Sequence, residues 1–361
     1  MNTDTETERG GRGTRLSERL QAAFVGGAEL FAVQAGYRFG WYASLARRGS
    51  LTAEELATLC GTGPRFTKEW LLQQTSADIL DTDLAGGEPR FHLSAEMAGV
   101  LLGSTGTGDE TLARALVEAF ASFAPQAHRL VDAWRHDRSG FLDTDRAMLA
   151  QEQARLTAVT ATDLPGRLAA VPELAGILSR QPLRVAELGC GAGLHLAAMA
   201  AAWPHAVLIG YDVDEVALGL AAQRLGSNPR VRLRHADARR VADDKPFDLI
   251  LAVDALHDMP DPSGVLSAAR TSLADGGIIT VVEVAYRPEF TADPDEVDRL
   301  GYLSSLFNCL HHQLEHSGQT AIGAVARESD IRGWGTAAGL PSCVPHDTEP
   351  DGTRLFVLRP R

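Results

Sequence analysis

Residues 185–193 read Val-Ala-Glu-Leu-Gly-Cys-Gly-Ala-Gly, and few folds accommodate such a segment. A short apolar run, Leu183 to Leu188, has the pattern of a buried strand. Gly189, Gly191 and Gly193 alternate after it, and a helical run, Leu194 to Ala202, follows. Strand, tight glycine turn and helix N-terminus in that order put bare backbone within reach of a ligand, because a Cβ here would obstruct both the φ > 0 turn and the approach. Downstream, strands are expected near 206, 231, 247 and 277 with helices between them. That alternation predicts an α/β fold with a mainly parallel sheet and right-handed crossovers. Cys343-Val344 and Thr353 to Leu358 read as a last strand pair.

Spacing decides which nucleotide-like ligand suits the turn. A dinucleotide fingerprint would place glycine or alanine at position 194, where this chain has Leu194. Glu187, at the end of the first strand, repels a phosphate but suits an amino-acid ammonium. The strand Ala206 to Tyr211 runs into Asp212, at the interval where a carboxylate takes both ribose hydroxyls. The strand Val231 to His235 leads to Asp237, placed to accept from an adenine amino group. Three carboxylates without a phosphate-binding lysine point to a cationic adenosine, S-adenosylmethionine (SAM).

Four segments then resemble, in order and at the usual intervals, the successive motifs of class I SAM-dependent methyltransferases. They are Glu187-Leu-Gly-Cys-Gly-Ala-Gly193, Gly210-Tyr-Asp-Val-Asp214, Ala236-Asp-Ala238 and Phe247-Asp-Leu-Ile-Leu-Ala-Val-Asp254. The resemblance implies an enzyme with a Rossmann-like sheet whose last strand pair is antiparallel. It assigns Glu187, Gly189, Gly191, Gly193, Asp212, Asp237, Ala238 and Asp254 to the cofactor.

Bulk properties narrow the acceptor. The chain of 361 residues, 45% hydrophobic and 22% charged, has the composition of an ordinary globular protein long enough for two domains. A formal net charge of −13 disfavours nucleic acid and anionic membranes, so a small or basic substrate is expected. Cys60, Cys190, Cys309 and Cys343 are scattered without a C-x-x-C pair, which predicts buried thiols in a reducing compartment. The polar start, Met1 to Thr14, lacks the apolar core of a signal peptide, and no long apolar run follows, so a cytoplasmic protein is expected.

Four regions are expected: a disordered tail over 1–15, a winged-helix domain over 16–103, a helical linker roofing the substrate pocket over 104–175, and the SAM-binding domain over 176–361. Between Leu16 and Ala46 apolar positions recur at helical spacing, with two helices breaking around Gly36 and Gly40. Thr52 and Glu55 form a capping box for the next helix. Cys60 to Pro64 is a turn before a second helix, Arg65 to Gln74, and Ile79–Thr82 with Arg90–Leu93 make a hairpin. Helix, turn, helix and hairpin constitute a winged helix. Arg65, Lys68, Gln73 and Gln74 would be its DNA-reading residues, yet Glu69 and the apolar Trp70, Leu71 and Leu72 share the helix. The module resembles instead the N-terminal dimerisation domain of bacterial and plant small-molecule methyltransferases, implying a homodimer. In the linker, Ser104 to Gly108 and Arg138 to Leu142 are expected loops, and Leu112–Phe123, Gln126–Arg135 and parts of 147–171 are expected helices.

Methyl transfer needs an acceptor held in line and made nucleophilic by a base or a metal. His257 follows the fourth strand, at the carboxyl edge where ligands bind in such sheets, and its ordinary pKa suits proton transfer at neutral pH. Leu256-His-Asp-Met-Pro-Asp261 resembles the His-Asp-Trp-x-Asp segment of winged-helix O-methyltransferases, whose histidine is the general base; Met259 stands in place of the tryptophan. The resemblance gives catalytic roles to His257 and Asp258 and matches Glu283, at the end of the fifth strand, to the acid that orients the base.

Gly36 to Leu45, Leu51 to Trp70, Asp254 to Asp258 and Leu303 to Leu310 resemble an actinobacterial branch of winged-helix methyltransferases of specialised metabolism. Some of its members C-methylate α-keto acids, and some of those hold a non-haem iron with two histidines. His257 matches one. The second belongs near Asn308, so His311 or His312, on the same predicted helix face, is expected to replace it as metal ligand or substrate contact. Such a metal would acidify the CH₂ beside the keto group, and Arg135 would grip a carboxylate from the roof. The preferred expectation is C-methylation of an α-keto acid. The alternatives are O-methylation of a phenol or other hydroxyl by His257, and a SAM-binding transcriptional regulator.

Overall fold

The computed structural model describes residues 3–85, 87–106, 111–244, 246–316, 321–348 and 352–360. The chain divides into two compact units, Met1–Pro125 and Gln126–Arg361.

In the first unit a helix Thr3–Arg38 ends two residues before Gly40, which adopts φ 68° and opens the helix Trp41–Arg48. The tail expected to lack structure over 1–15 is therefore helical from Thr3 onward, since extending an existing helix adds one hydrogen bond per residue fixed. Thr52 caps Ala53–Cys60 in both directions. The Glu55 N–H donates to Thr52 Oγ1 at 3.2 Å, and the Thr52 N–H donates to Glu55 Oε2 at 2.8 Å. Pro64–Ser76 follows, with its proline in the first turn where no donor is lost. Strands β1 (Asp81–Asp83) and β2 (Arg90–His92) pair antiparallel, and Leu51 bridges Phe91 beside them. Tyr42, Leu45, Leu56, Leu71 and Phe91 are at most 2% exposed and form the core of this unit. Its last helix, Leu112–Phe123, packs on the first, with Phe120 against Phe31 at 5.3 Å and Arg114 over the Tyr37 ring at 4.7 Å. That packing draws 104–125 into the N-terminal unit and moves the expected boundary at 103 to 125. Part of the expected loop at 104–108 lies outside the described residues.

The second unit is built on one seven-stranded sheet: β3 (Leu183–Leu188), β4 (Ala206–Asp212), β5 (Val231–His235), β6 (Phe247–Val253), β7 (Leu273–Val284), β8 (Ser342–Thr348) and β9 (Thr353–Arg359). Their order is β5-β4-β3-β6-β7-β9-β8. The first five are parallel, and β9 pairs antiparallel with both β7 and β8. Burial on both faces explains why β3 and β6 read as nearly continuous apolar runs. Pro345 is tolerated in β8 because that strand is an edge. Among the described residues no helix is long and apolar enough to cross a membrane. Cys190, Cys309 and Cys343 are buried, Cys60 is half-buried, and all four are thiols.

Candidate functional site

The parallel strands all end on one edge of the sheet, and the residues singled out by sequence collect there. The turn after β3 is fixed by the Gly189 and Cys190 N–H groups, which donate to the Tyr211 carbonyl at 2.8 and 3.0 Å. A Cβ on Gly193 would stand 2.9 Å from Ala221 Cβ, so that glycine is required by helix packing. Gly191 differs, for at φ 49° a Cβ there would meet nothing within 4 Å. A side chain there would project into open space.

Three carboxylates, at or just after the ends of the neighbouring strands β3, β4 and β5, are in unlike states. Glu187, 1% exposed, places Oε1 2.8 Å from His195 Nδ1, while Oε2 is buried and has no hydrogen-bond partner. Burial pushes its carboxyl up, and His195 opposes the shift. Asp212 accepts from the Gly191 N–H at 2.7 Å and from the Asp214 N–H at 2.8 Å; burial raises its pKa against the pull of these backbone donors. Asp237 is held by Arg239 through two contacts of 2.9 and 2.8 Å, which lowers its pKa. Ala238 begins the 3₁₀ turn Ala238–Asp243 beside it.

Beyond β6 the chain turns at Asp254, a non-glycine residue at φ 47°. Its side chain reaches solvent, and partial desolvation by the surrounding protein pushes its carboxyl up to about 6. The 3₁₀ turn Leu256–Asp258 then carries His257 onto Glu283 of β7. His257 Nδ1 lies 2.7 Å from Glu283 Oε2, and its backbone N–H donates to Oε1 at 3.3 Å; the two residues are 5% and 1% exposed. Nε2 faces Asp258 Oδ1 at 3.5 Å and the Cys309 thiol. Burial alone lowers the pKa of such a ring, but Glu283, Asp258 and Cys309 outweigh it and hold His257 well above 6.5. Met259, the departure from the expected tryptophan, packs into the core beside the glycine turn, its Cε within 3.5 Å of where a Gly189 Cβ would stand.

The remaining expected site residues are placed differently. His311 is 1% exposed, but its Nδ1 accepts from the Gly140 N–H at 2.9 Å and its ring lies 5.2 Å from Phe141. His312 stands 4.9 Å from the same ring. Both histidines thus hold the loop after the helix Ala127–Ala133. Among the described residues, groups with metal-ligand potential gather around His257 with Asp258 and Cys309, or with Asp254 and Glu283, and include neither His311 nor His312. The donor set therefore does not fit an iron held by His257 and His311. Arg135 is exposed on the 3₁₀ turn Trp134–His136 and makes no ion pair among the described residues.

Sequence reasoning passed over His195 and Gln313. Gln313, 2% exposed, donates at 3.1 Å to the His257 carbonyl, to Asp258 Oδ1 and to the Gly323 carbonyl, and accepts from the Gly323 N–H at 2.9 Å.

Residues 186–279 match a family model described as a methyltransferase domain. Trans-aconitate 2-methyltransferase of Methylobacterium nodulans is 34% identical over 111 residues, which is 30% of this chain and 42% of the relative. Ubiquinone biosynthesis O-methyltransferase of Pseudomonas aeruginosa is 27% identical over 180 residues, 49% of this chain and 71% of the relative. The chain thus spans less than half the length of the first of these curated relatives. The structure of human N-acetylserotonin methyltransferase in complex with SAM superposes with a TM-score of 0.70 at 18% identity, covering 95% of this chain and 97% of that one. The fold is the Rossmann-like methyltransferase fold with an N-terminal helical region.

Proposed function

We propose that the chain transfers the methyl group of SAM to a hydroxyl oxygen of a small molecule, with His257 as general base and Glu283 as the acid that orients it. The observation that carries this reading is the buried contact of 2.7 Å between His257 Nδ1 and Glu283 Oε2 at the carboxyl edge of the sheet. A carboxylate on Nδ1 fixes the tautomer and stabilises the imidazolium that results, and Nε2, beside Asp258 and Cys309, is the nitrogen that would take the acceptor's proton.

The site suits SAM on its own chemistry. The open face of Gly191 admits a ligand against backbone, the unpartnered Glu187 Oε2 suits an ammonium, and Asp212 and Asp237 would hold the ribose and the adenine amino group. Asp237 would exchange one contact with Arg239 for that amino group. Bound SAM supplies an electrophilic methyl group on a sulfonium centre.

C-methylation of an α-keto acid could use the same base on a carbon acid. Its iron-assisted form needs a second histidine beside His257, and His311 holds Gly140 instead. The hydroxyl reading needs only groups that the fold brings together, and a relative named as an O-methyltransferase agrees with it.

For the N-terminal unit the reading is a winged-helix dimerisation module, in a cytoplasmic enzyme of specialised metabolism. Support comes from the apolar stripe of Leu16, Leu20 and Phe24 on the first helix, 45%, 61% and 79% exposed. The test of activity is methyl incorporation from labelled SAM into phenols, catechols and aryl pyruvates, with and without a chelator. Labelling of a hydroxyl that resists the chelator is expected. Chelator-sensitive labelling of a keto acid would overturn the hydroxyl reading, and SAM binding without any labelling would point to a sensor.

A further inference from the structure

His195 is the second residue of the helix Leu194–Ala202 and is 8% exposed. The glycine turn brings it back over the end of β3, where Nδ1 reaches Glu187 Oε1 at 2.8 Å. A carboxylate accepts, so Nδ1 carries the proton in this contact. The two oxygens of Glu187 are thereby made unequal. Oε1 is held, while Oε2 is equally buried and has no partner. Leaving a buried carboxylate oxygen unmatched is costly in the ligand-free protein, so a fold that clamps one oxygen and leaves the other bare is preorganised for a cation.

We propose that His195 is a positioning residue of the cofactor site: its Nδ1–H fixes the Glu187 side chain so that Oε2 receives the ammonium group of the methionine part of SAM. This rests on the reading of the site as a SAM site. The proposed effect of His195 on the cofactor is at the amino-acid end, through the hydrogen bond to Glu187. Without the clamp the carboxylate rotates and loses the contact, and a charge-assisted hydrogen bond of this kind is worth about ten- to a hundredfold in affinity.

The experiment is calorimetric titration of the full-length protein with two ligands, S-adenosylhomocysteine and 5′-methylthioadenosine, which keeps the adenosine and the sulfur but lacks the amino-acid group. His195→Ala should weaken S-adenosylhomocysteine binding about ten- to a hundredfold and leave methylthioadenosine unchanged. His195→Asn, which offers an N–H near the position of Nδ1, should recover most of the loss. Equal weakening of both ligands would mean a general disturbance of the fold and would overturn the proposal, as would unchanged binding of S-adenosylhomocysteine or failure of the asparagine to rescue. A wild-type protein that binds methylthioadenosine but gains nothing from the amino-acid group would overturn the proposal while leaving an adenosine site. Wild-type protein that binds neither ligand would overturn the SAM reading itself.

Discussion

Glu283 grips His257 twice, its Oε2 at 2.7 Å from the ring Nδ1 and its Oε1 accepting the backbone N–H at 3.3 Å. Side chain and main chain of one residue, in the turn after β6, are thus pinned to one carboxylate on the adjacent strand β7. The double contact defines the ring plane as well as its position, which a single hydrogen bond would not. It also keeps a buried negative charge beside the ring that must become positive during proton transfer.

Glu283→Gln preserves the shape of that grip but removes the charge. The expected result is a fall in kcat of about a hundredfold or more, within the range that general base catalysis supplies, with a smaller effect on SAM affinity, because the side-chain hydrogen bonds of Glu283 go to His257. Steady-state rates together with calorimetric titration of SAM check this. Weakened SAM binding at full kcat would remove Glu283 from the acceptor side of the site.

The pH dependence follows from the sign of one shift. Burial pulls His257 down, but Glu283, Asp258 and Cys309 overcompensate and hold it well above 6.5. A base works only when deprotonated, so kcat should climb with pH through that raised value, and Glu283→Gln should move the climb to lower pH. Stability runs the other way. A histidine whose folded pKa exceeds its unfolded one contributes fully below about 6.5, and the contribution is lost as pH rises through the folded value. Thermal melts over the same pH series should therefore show stability falling where activity rises, and a Glu283→Gln profile superposable on the wild type would refute the coupling.

The strand ends were legible because burial writes itself into sequence: Leu183–Leu188 and Phe247–Val253 are apolar runs, and the carboxylates that end or follow them fall on one edge once the strands are parallel. What contacts that edge from elsewhere was not legible. Gln313 reaches His257 across 56 positions, and His311 reaches Gly140 across 171, distances over which local pattern carries no information. Helical phase misled as well. The segment Ser305–Cys309 is a π turn, which inserts an extra residue and rotates all that follows. Projecting Asn308 forward on an ideal helix aims His311 at the site, whereas the structure presents Cys309 to His257 and turns His311 toward Phe141. Specific packing, of Leu112–Phe123 on the first helix, also set the boundary between the units.

Two glycines of one turn should fail in different ways. Alanine at either position costs about 1–2 kcal/mol for the left-handed backbone. At Gly193 the new Cβ also meets Ala221 Cβ at 2.9 Å and Leu225 Cδ1 at 3.1 Å, so Gly193→Ala should lower Tm clearly further. Gly191→Ala projects its methyl into open space and should instead reduce SAM affinity sharply at a modest cost in Tm. Melting curves and SAM titrations of both variants decide it. Equal losses of stability, with SAM binding intact in Gly191→Ala, would place the cofactor elsewhere.

The exposed stripe of the first helix offers a test of assembly. Phe24 at 79% exposure and Leu20 at 61% lie one helical turn apart. If that face meets a second copy, Leu20→Asp with Phe24→Asp desolvates two charges at the interface, and a wild-type dimer should become a monomer by light scattering, with the helical content of the chain kept. A monomeric wild type, or a double variant that remains dimeric, would exclude this face as the interface.

Gln313 separates positioning from mere support. Its amide nitrogen, with two N–H groups, lies 3.1 Å from three acceptors, the His257 carbonyl, Asp258 Oδ1 and the Gly323 carbonyl, so that one hydrogen is shared, while its oxygen takes the Gly323 N–H. Gln313→Leu strands those buried groups, at about 1–3 kcal/mol for a lost buried partner, and should lower Tm while leaving the pH limb of kcat near its wild-type position. Gln313→Glu keeps the acceptor for Gly323 but sets a second carboxylate against Asp258, close to the His257 ring. That added negative charge favours the imidazolium, so the rising limb of kcat should shift to higher pH, beyond the wild-type position. Rate profiles and melts of the two variants, measured side by side, distinguish the cases. A purely structural Gln313 would give two destabilised proteins with coincident pH profiles, whereas displacement of the Glu variant alone ties this residue to the protonation of the base.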